Sequence, residues 1–164
     1  MKPLPDPVRP GQESVWSFPR PAMAEPTTAH IVIEHRGTRI AGTRRAVRVL
    51  ETSHPPTYYI PPGGIREGVL RRAAGRSFCE WKGEAAYWDV VLPDAVLPRV
   101  GWSYPDPTPG FRILKDHVAF YAAPFDLCTV DGERVTPQPG GFYGGWITPA
   151  VAGPFKGIPG SDWW

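Results

Sequence analysis

Residues 48–61 read RVLETSHPPTYYIP, and residues 78–90 read FCEWKGEAAYWDV. Both runs set β-branched and aromatic residues between turn-formers, the pattern of short strands rather than of long helices. Arg45 to Glu51 reads as one strand, and Thr57 to Pro61 as a second after the stiff His54-Pro55-Pro56 turn. If Val47 and Val49 face inward, the two-residue period carries Glu51 to the same side. An inward carboxylate must be paired, protonated or solvated in a cleft, which makes Glu51 a candidate site residue. Ser77 to Trp81 and Glu84 to Leu92 read as a hairpin closed by Lys82-Gly83. A two-residue loop there pairs Trp81 with Glu84 and Cys79 with Ala86. Cys79, Trp81, Ala86 and Trp88 then share one face, and Phe78, Glu80, Tyr87 and Asp89 the other.

Outward from these runs, His30 to Glu34 and Thr38 to Ala41 form a hairpin about Arg36-Gly37. Val100 to Tyr104 and His117 to Tyr121 add strands, and Asp131-Gly132 marks a further hairpin turn. Ile65 to Ala73 is the one segment with helical spacing, at Ile65, Val69 and Leu70. Met1 to Ala29 is kept out of helix by its prolines and reads as an extended arm. Its ESVWSFPRP stretch (13–21) is too apolar to hang free and is expected to lie across the domain surface. Residues 131–164 form a hairpin and a glycine-aromatic tail that should fold back, since three exposed tryptophans would drive association. One domain is expected over residues 1–164, with residues 30–130 as its β core.

Composition supports a β-rich domain. The 22 prolines among 164 residues amount to about 13%, against a usual level near 5%. Hydrophobic residues at 41% and aromatics at 12% can still support a packed core. A net charge of +2 calls for neither nucleic acid nor an anionic membrane as partner. The arginines at 36, 39, 44, 45 and 48, and at 66, 71, 72 and 76, read as two solvated faces. No apolar run of about 18 residues is present to span a membrane. Two cysteines, Cys79 and Cys128, cannot build a disulfide framework, and no secretory segment stands near Met1. The expected location is the cytoplasm, with reduced thiols.

Several motifs carry chemistry. Lys82, three residues after Cys79, could favour its thiolate, with His54 or His117 arriving through the fold as a base; the plainer reading of Cys79 is a small buried thiol. The four histidines are scattered and no C-x-x-C pair exists, so neither metal nor cofactor is expected. Glycine pairs at 63–64, 140–141 and 144–145 could approach phosphate, but none opens a helix after a strand as nucleotide motifs do. The aromatic set is the strongest signal: Tyr58, Tyr59, Trp81, Tyr87, Trp88, Trp102, Tyr104 and Tyr121. Rings crossing at right angles can cage a flat or cationic ligand, and others of the set must be core.

With RVLETSHPPTYYIP and FCEWKGEAAYWDV, the motifs VGWSYPDP (100–107) and HVAFY (117–121) resemble a largely bacterial family, domain of unknown function 427, also labelled a nucleotidyltransferase. The arm and tail motifs, ESVWSFPRP and GGFYGGWITP…GPFKGIPG, resemble a long form of it. The resemblance implies a mainly β, β-tent-like fold: two antiparallel sheets meeting at an angle, as in methionine sulfoxide reductase B and the ligand-binding domain of cereblon. Those relatives hold zinc through two C-x-x-C pairs, which this chain lacks. The resemblance marks Glu51, Tyr58, Tyr59, Cys79, Lys82, Gly83, Tyr87, Trp88, Trp102, Tyr104, Tyr121 and Asp126. Glu80 and Trp81 stand where the family has proline and tyrosine, which sets the thiol beside a carboxylate.

The leading expectation is a cleft for an unknown small molecule, drawn from Glu51, Tyr58, Tyr59, Cys79, Lys82, Trp88, Trp102, Tyr104 and Tyr121. Tyr59, Trp88, Trp102 and Tyr104 would form its walls, and Glu51 and Lys82 its polar anchors. The alternatives are a nucleotide-processing enzyme with Glu51 as base or metal ligand, and an interaction module that docks partners through its arm and tail. No catalytic residue is assigned.

Overall fold

The computed structural model describes residues 2–164. Its strands follow in chain order. Glu13–Ser14 (β1) and Met23–Pro26 (β2) come from the arm. Ile31–His35 (β3), Thr38–Thr43 (β4), Val47–Leu50 (β5) and Thr57–Ile60 (β6) follow. Three long strands come next, Leu70–Cys79 (β7), Gly83–Leu92 (β8) and Ala95–Ser103 (β9). Val118–Phe120 (β10), Leu127–Val130 (β11) and Glu133–Arg134 (β12) precede the tail. The tail holds Thr136–Pro137 (β13), Trp146–Ile147 (β14) and Val151–Ala152 (β15). Helical structure is confined to short 3-10 turns, among them Pro62–Gly64 and Pro109–Leu114.

The protein is mainly β, built on two antiparallel sheets. The larger has seven strands in the order β2-β5-β6-β10-β9-β8-β7, and the smaller has four, β12-β11-β3-β4. One face of the large sheet meets the small sheet through a core of Ile31, Ile33, Ile40, Tyr58, Ile60, Val118 and Phe120, sealed by Trp146 of the tail. Its other face carries Val47, Val49, Tyr59, Tyr104 and Ala119, covered in part by Ala22 and by Phe111 and Leu114 of the Pro109–Leu114 turn. With both faces apolar, these strands bury side chains in both directions of the pleat.

The arm is more than a surface strap. Its β2 is an edge strand of the large sheet, Met23 pairing with Leu50, and its β1 runs parallel to β15 of the tail. Arg48 on β5 clamps both arm strands, reaching Glu13 and Glu25 at 2.7 Å each. The tail folds back as expected: Trp146 is buried and its Nε1 donates to the Phe120 carbonyl at 2.9 Å. Trp164 stacks edge-on against Trp16 at 5.4 Å, while Trp163 stays exposed.

Two local expectations are corrected. Ile65 to Ala73 is not a helix; from Leu70 onward it is β7, pairing Leu70 with Val90. Gly68 at φ 83° breaks any helix before it can propagate, and the ladder to β8 supplies the backbone partners instead. The β7–β8 loop is also one residue longer than a tight turn, because Cys79 pairs with Gly83, and Ser77 with Ala85. That slip places Cys79, Ala85 and Tyr87 on one face and moves Trp88 to the other.

A bulge in β9 around Arg99, at φ 50°, brings its backbone toward Asp89 of β8. The Asp89 carboxylate accepts the Arg99 backbone N–H at 2.8 Å and the Arg71 guanidinium at 2.9 Å. The Arg99 N–H first, and then Arg71, hold its pKa below the ordinary value of 3.8. A depressed folded value stabilises the protein above pH 3.8, and the benefit is lost as pH falls through that lower value. Asp89→Asn is therefore expected to melt at lower temperature than wild type at pH 7. The gap should shrink steadily in melts taken from pH 4 downward.

Candidate functional site

One register line across the large sheet sets the site. Val47 pairs with Tyr59, Tyr59 with Ala119, Ala119 with Trp102, and Trp102 with Tyr87. Paired residues project from the same face, so Tyr59, Trp102 and Tyr87 point together, away from the small sheet. Tyr104, two residues beyond Trp102, and Tyr121, two beyond Ala119, follow the same period. All five line a cleft of about 570 Å³.

The rings hold one another. Trp102 meets Tyr59 edge-on at 6.3 Å and Tyr121 at 4.7 Å, and Tyr59 lies 6.2 Å from Tyr104. Trp102 Nε1 donates to the Tyr59 hydroxyl at 3.2 Å. Burial pushes the Tyr59 and Tyr104 hydroxyls well above their ordinary range, so both remain neutral. Arg99 lies over Tyr87 at 4.2 Å, and the Tyr87 and Ser77 hydroxyls are hydrogen-bonded at 2.6 Å.

At the Tyr121 end, Glu51 continues the inward side of β5. Its Oε2 lies 3.6 Å from His54 Nε2. Gln138 of the tail settles where the His54 proton sits. The Gly145 N–H donates to Gln138 Oε1 at 3.0 Å, which turns the amide nitrogen toward the Lys156 carbonyl at 2.9 Å and His54 Nδ1 at 3.0 Å. That nitrogen can only donate, so Nδ1 accepts and the proton sits on Nε2, facing Glu51. Burial first, and then the charges of Lys156 and Arg20, lower the His54 pKa against the pull of Glu51. A neutral imidazole with its free lone pair already capped cannot serve as a base for Cys79. Its Nε2–H faces the Glu51 carboxylate at 3.6 Å without a formed hydrogen bond.

Cys79 and Lys82 stand at the Tyr104 end. Lys82 Nζ is 3.9 Å from Cys79 Sγ, 6.0 Å from the centre of the Tyr104 ring and 5.7 Å from that of Phe111. The loop is pinned by Thr108, whose N–H donates to the Lys82 carbonyl at 3.0 Å and whose hydroxyl donates to the Trp81 carbonyl.

Of the residues marked in the sequence, Glu51, Tyr59, Cys79, Lys82, Trp102, Tyr104 and Tyr121 line this one cleft, joined by Trp81 and Tyr87. Tyr58 and Trp88 do not. Tyr58 packs on Trp146 in the core between the sheets, at 5.6 Å. Trp88 projects from the opposite face, where its Nε1 donates to Ser103 and it lines a separate cavity with Arg72 and Val118. Each is the immediate neighbour of a cleft tyrosine, and the pleat sends neighbours to opposite sides. Sequence reasoning passed over His54 as a neighbour of Glu51, and it also missed Gln138, Tyr143 and Lys156, all of which line the cleft. The tail's glycine-aromatic composition was the only local hint of the last three.

The turn that carries Glu51 and His54 is strained. Ser53 sits at φ 73° and buries a hydroxyl that has no partner. It is held from both ends of the chain: its N–H donates to the Val15 carbonyl at 3.0 Å, and its carbonyl accepts the Lys156 N–H at 2.9 Å.

The family model described as Domain of unknown function (DUF427) matches residues 23–131. No curated protein matches the chain. Gln138, Phe142, Tyr143 and Lys156 fall outside the matched stretch, so the cleft combines a family core with a wall from the tail.

Two substitutions check this construction. A β-carbon on Gly144 would overlap the Trp102 indole, so Gly144→Ala is expected to lift the tail and cost about 1–3 kcal/mol in thermal melts. Ser53→Gly should raise stability by about 1 kcal/mol. It relieves about 1 kcal/mol of left-handed strain and a similar cost of the orphaned hydroxyl, against about 0.5–1 kcal/mol of added chain entropy.

Proposed function

The chain belongs to the DUF427 family, and from that premise we propose that it is a small-molecule-binding protein whose aromatic cleft takes a flat organic ligand. The observation that carries this reading is the convergence of Tyr59, Tyr87, Trp102, Tyr104 and Tyr121 on one cavity of about 570 Å³. Its volume falls within the range of ordinary ligand pockets, and its few charged groups stand among rings, as orienting groups do. Crossed rings offer a planar molecule both stacking and edge contacts.

Nucleotide processing, the activity in the family's label, has less support. A metal-dependent reaction at phosphates calls for a set of hard ligands. Among the described residues no three of His, Cys, Asp and Glu gather as such a set. The reading as an interaction module loses ground because the arm and the tail, which would present themselves to a partner, pair with each other.

We place the protein in the reducing cytoplasm. Cys79 and Cys128 are both free thiols. Burial pushes the Cys128 pKa up to about 12, which leaves it inert. No helix is long and apolar enough to cross a membrane.

A thermal-shift screen of flat heteroaromatic compounds finds the ligand class, since a compound at a hundred times its Kd adds about 2.7 kcal/mol of stability. Trp102→Ala is expected to weaken the best binder at least tenfold, about 1.4 kcal/mol. Trp88→Ala, on the opposite face, should leave its affinity within about twofold in the same titration. A folded Trp102→Ala protein with unchanged affinity would refute the assignment of the cleft.

A further inference from the structure

Glu51 and Lys82 stand at opposite ends of the cleft, and the rings lie between them. The Tyr121 N–H donates to the Val100 carbonyl, and Tyr104 follows Val100 by four residues of extended chain, so the Tyr121 and Tyr104 rows lie roughly 13 Å apart, with Glu51 and Lys82 reaching in from beyond them. At the Tyr121 end stands Glu51. Its Oε2 lies 3.6 Å from His54 Nε2, beyond hydrogen-bond reach, so both carboxylate oxygens are left as acceptors. At the Tyr104 end stands Lys82, which forms no ion pair with any described residue.

Two other charged side chains line the cavity. The Lys156 ammonium is engaged by the Trp164 carbonyl at 3.2 Å and by the Tyr143 ring at 5.9 Å. Glu80 is exposed on the hairpin loop and pairs with no cation. The inner cleft therefore offers the Glu51 carboxylate and the Lys82 ammonium at opposite ends of a row of rings. Neither forms an ion pair with a charged partner, since His54 is neutral and Lys82 has only the Cys79 thiol and the faces of Tyr104 and Phe111 beside it. A low-dielectric setting strengthens the pull of each on a complementary group.

We propose that the cleft selects dipolar ligands: a flat ring system with a cationic or N–H-donating group at Glu51 and a carboxylate or phosphate at Lys82. This rests on the reading of the cleft as a site for flat molecules, and it assigns the two ends. A ligand with one charge satisfies one pole and leaves the other desolvated and unpaired, which costs affinity.

The test is calorimetric titration of the full chain with 4-amidinobenzoate, benzamidine, benzoate and indole. The expected result is that 4-amidinobenzoate binds at least tenfold more tightly than either singly charged probe. Glu51→Gln should reduce it to the affinity of benzoate, and Lys82→Met to that of benzamidine, while Trp88→Ala, outside the cleft, leaves it unchanged. If indole binds but 4-amidinobenzoate gains nothing over the singly charged probes, the dipolar assignment is wrong and the cleft reading stands. If none of the four binds, both are overturned.

Discussion

The pleat of the seven-stranded sheet is the constraint on which the rest of the structure depends. Both faces of its inner strands are apolar, so each strand distributes neighbouring residues between two distinct environments. Tyr58 and Ile60 go to the core between the sheets, and Tyr59 goes to the cleft. Trp88 and Ser103 bond each other on one side, while Tyr87 and Trp102 face each other on the opposite side. The cleft is what remains of the second face once Ala22, Phe111 and Leu114 have covered part of it. Its floor is therefore as rigid as the backbone ladder beneath it, a sound base for a site that must hold rings at fixed angles.

The walls have a different origin. The floor comes from the stretch matched by the family model, and the far wall comes from the tail. The tail is held by the arm through the β1–β15 pair, the bond from Trp16 Nε1 to the Pro154 carbonyl at 2.9 Å, and the packing of Val15 and Phe18 with Val151. Arg48 links this assembly to the sheet. Residues at both ends of the chain thus fix the turn between Glu51 and His54 and, through Gln138, the position of a single proton.

The sequence revealed the strand content, the hairpins at Arg36-Gly37 and Asp131-Gly132, and the inward course of Glu51, because those follow from local periodicity and turn chemistry. It also grouped most of the aromatic residues that share the cleft. Where it failed, the deciding contact was distant. The segment after Ile65 has helical spacing, but Gly68 and the open ladder of β8 overrule it. A loop one residue longer than the shortest turn exchanged Tyr87 for Trp88. Tyr58 and Tyr59 could have been separated from the sequence alone, since adjacent strand residues cannot face the same way. Gln138 and Lys156 could not, because their role depends on a fold-back across more than eighty residues of chain.

The pairing of Glu13 with Val151 also has a consequence for synthesis. A ribosome delivers chain from the N-terminus at roughly 5–20 residues per second. The arm's first strand therefore waits several seconds for a partner, while the two sheets can already collapse around Ile31, Ile60 and Phe120. The strained turn at Ser53 lacks the second of its two holders until Lys156 has emerged. The wall of the cleft that holds Gln138, Tyr143 and Lys156 therefore cannot form until those residues have been made, well after the strands of its floor.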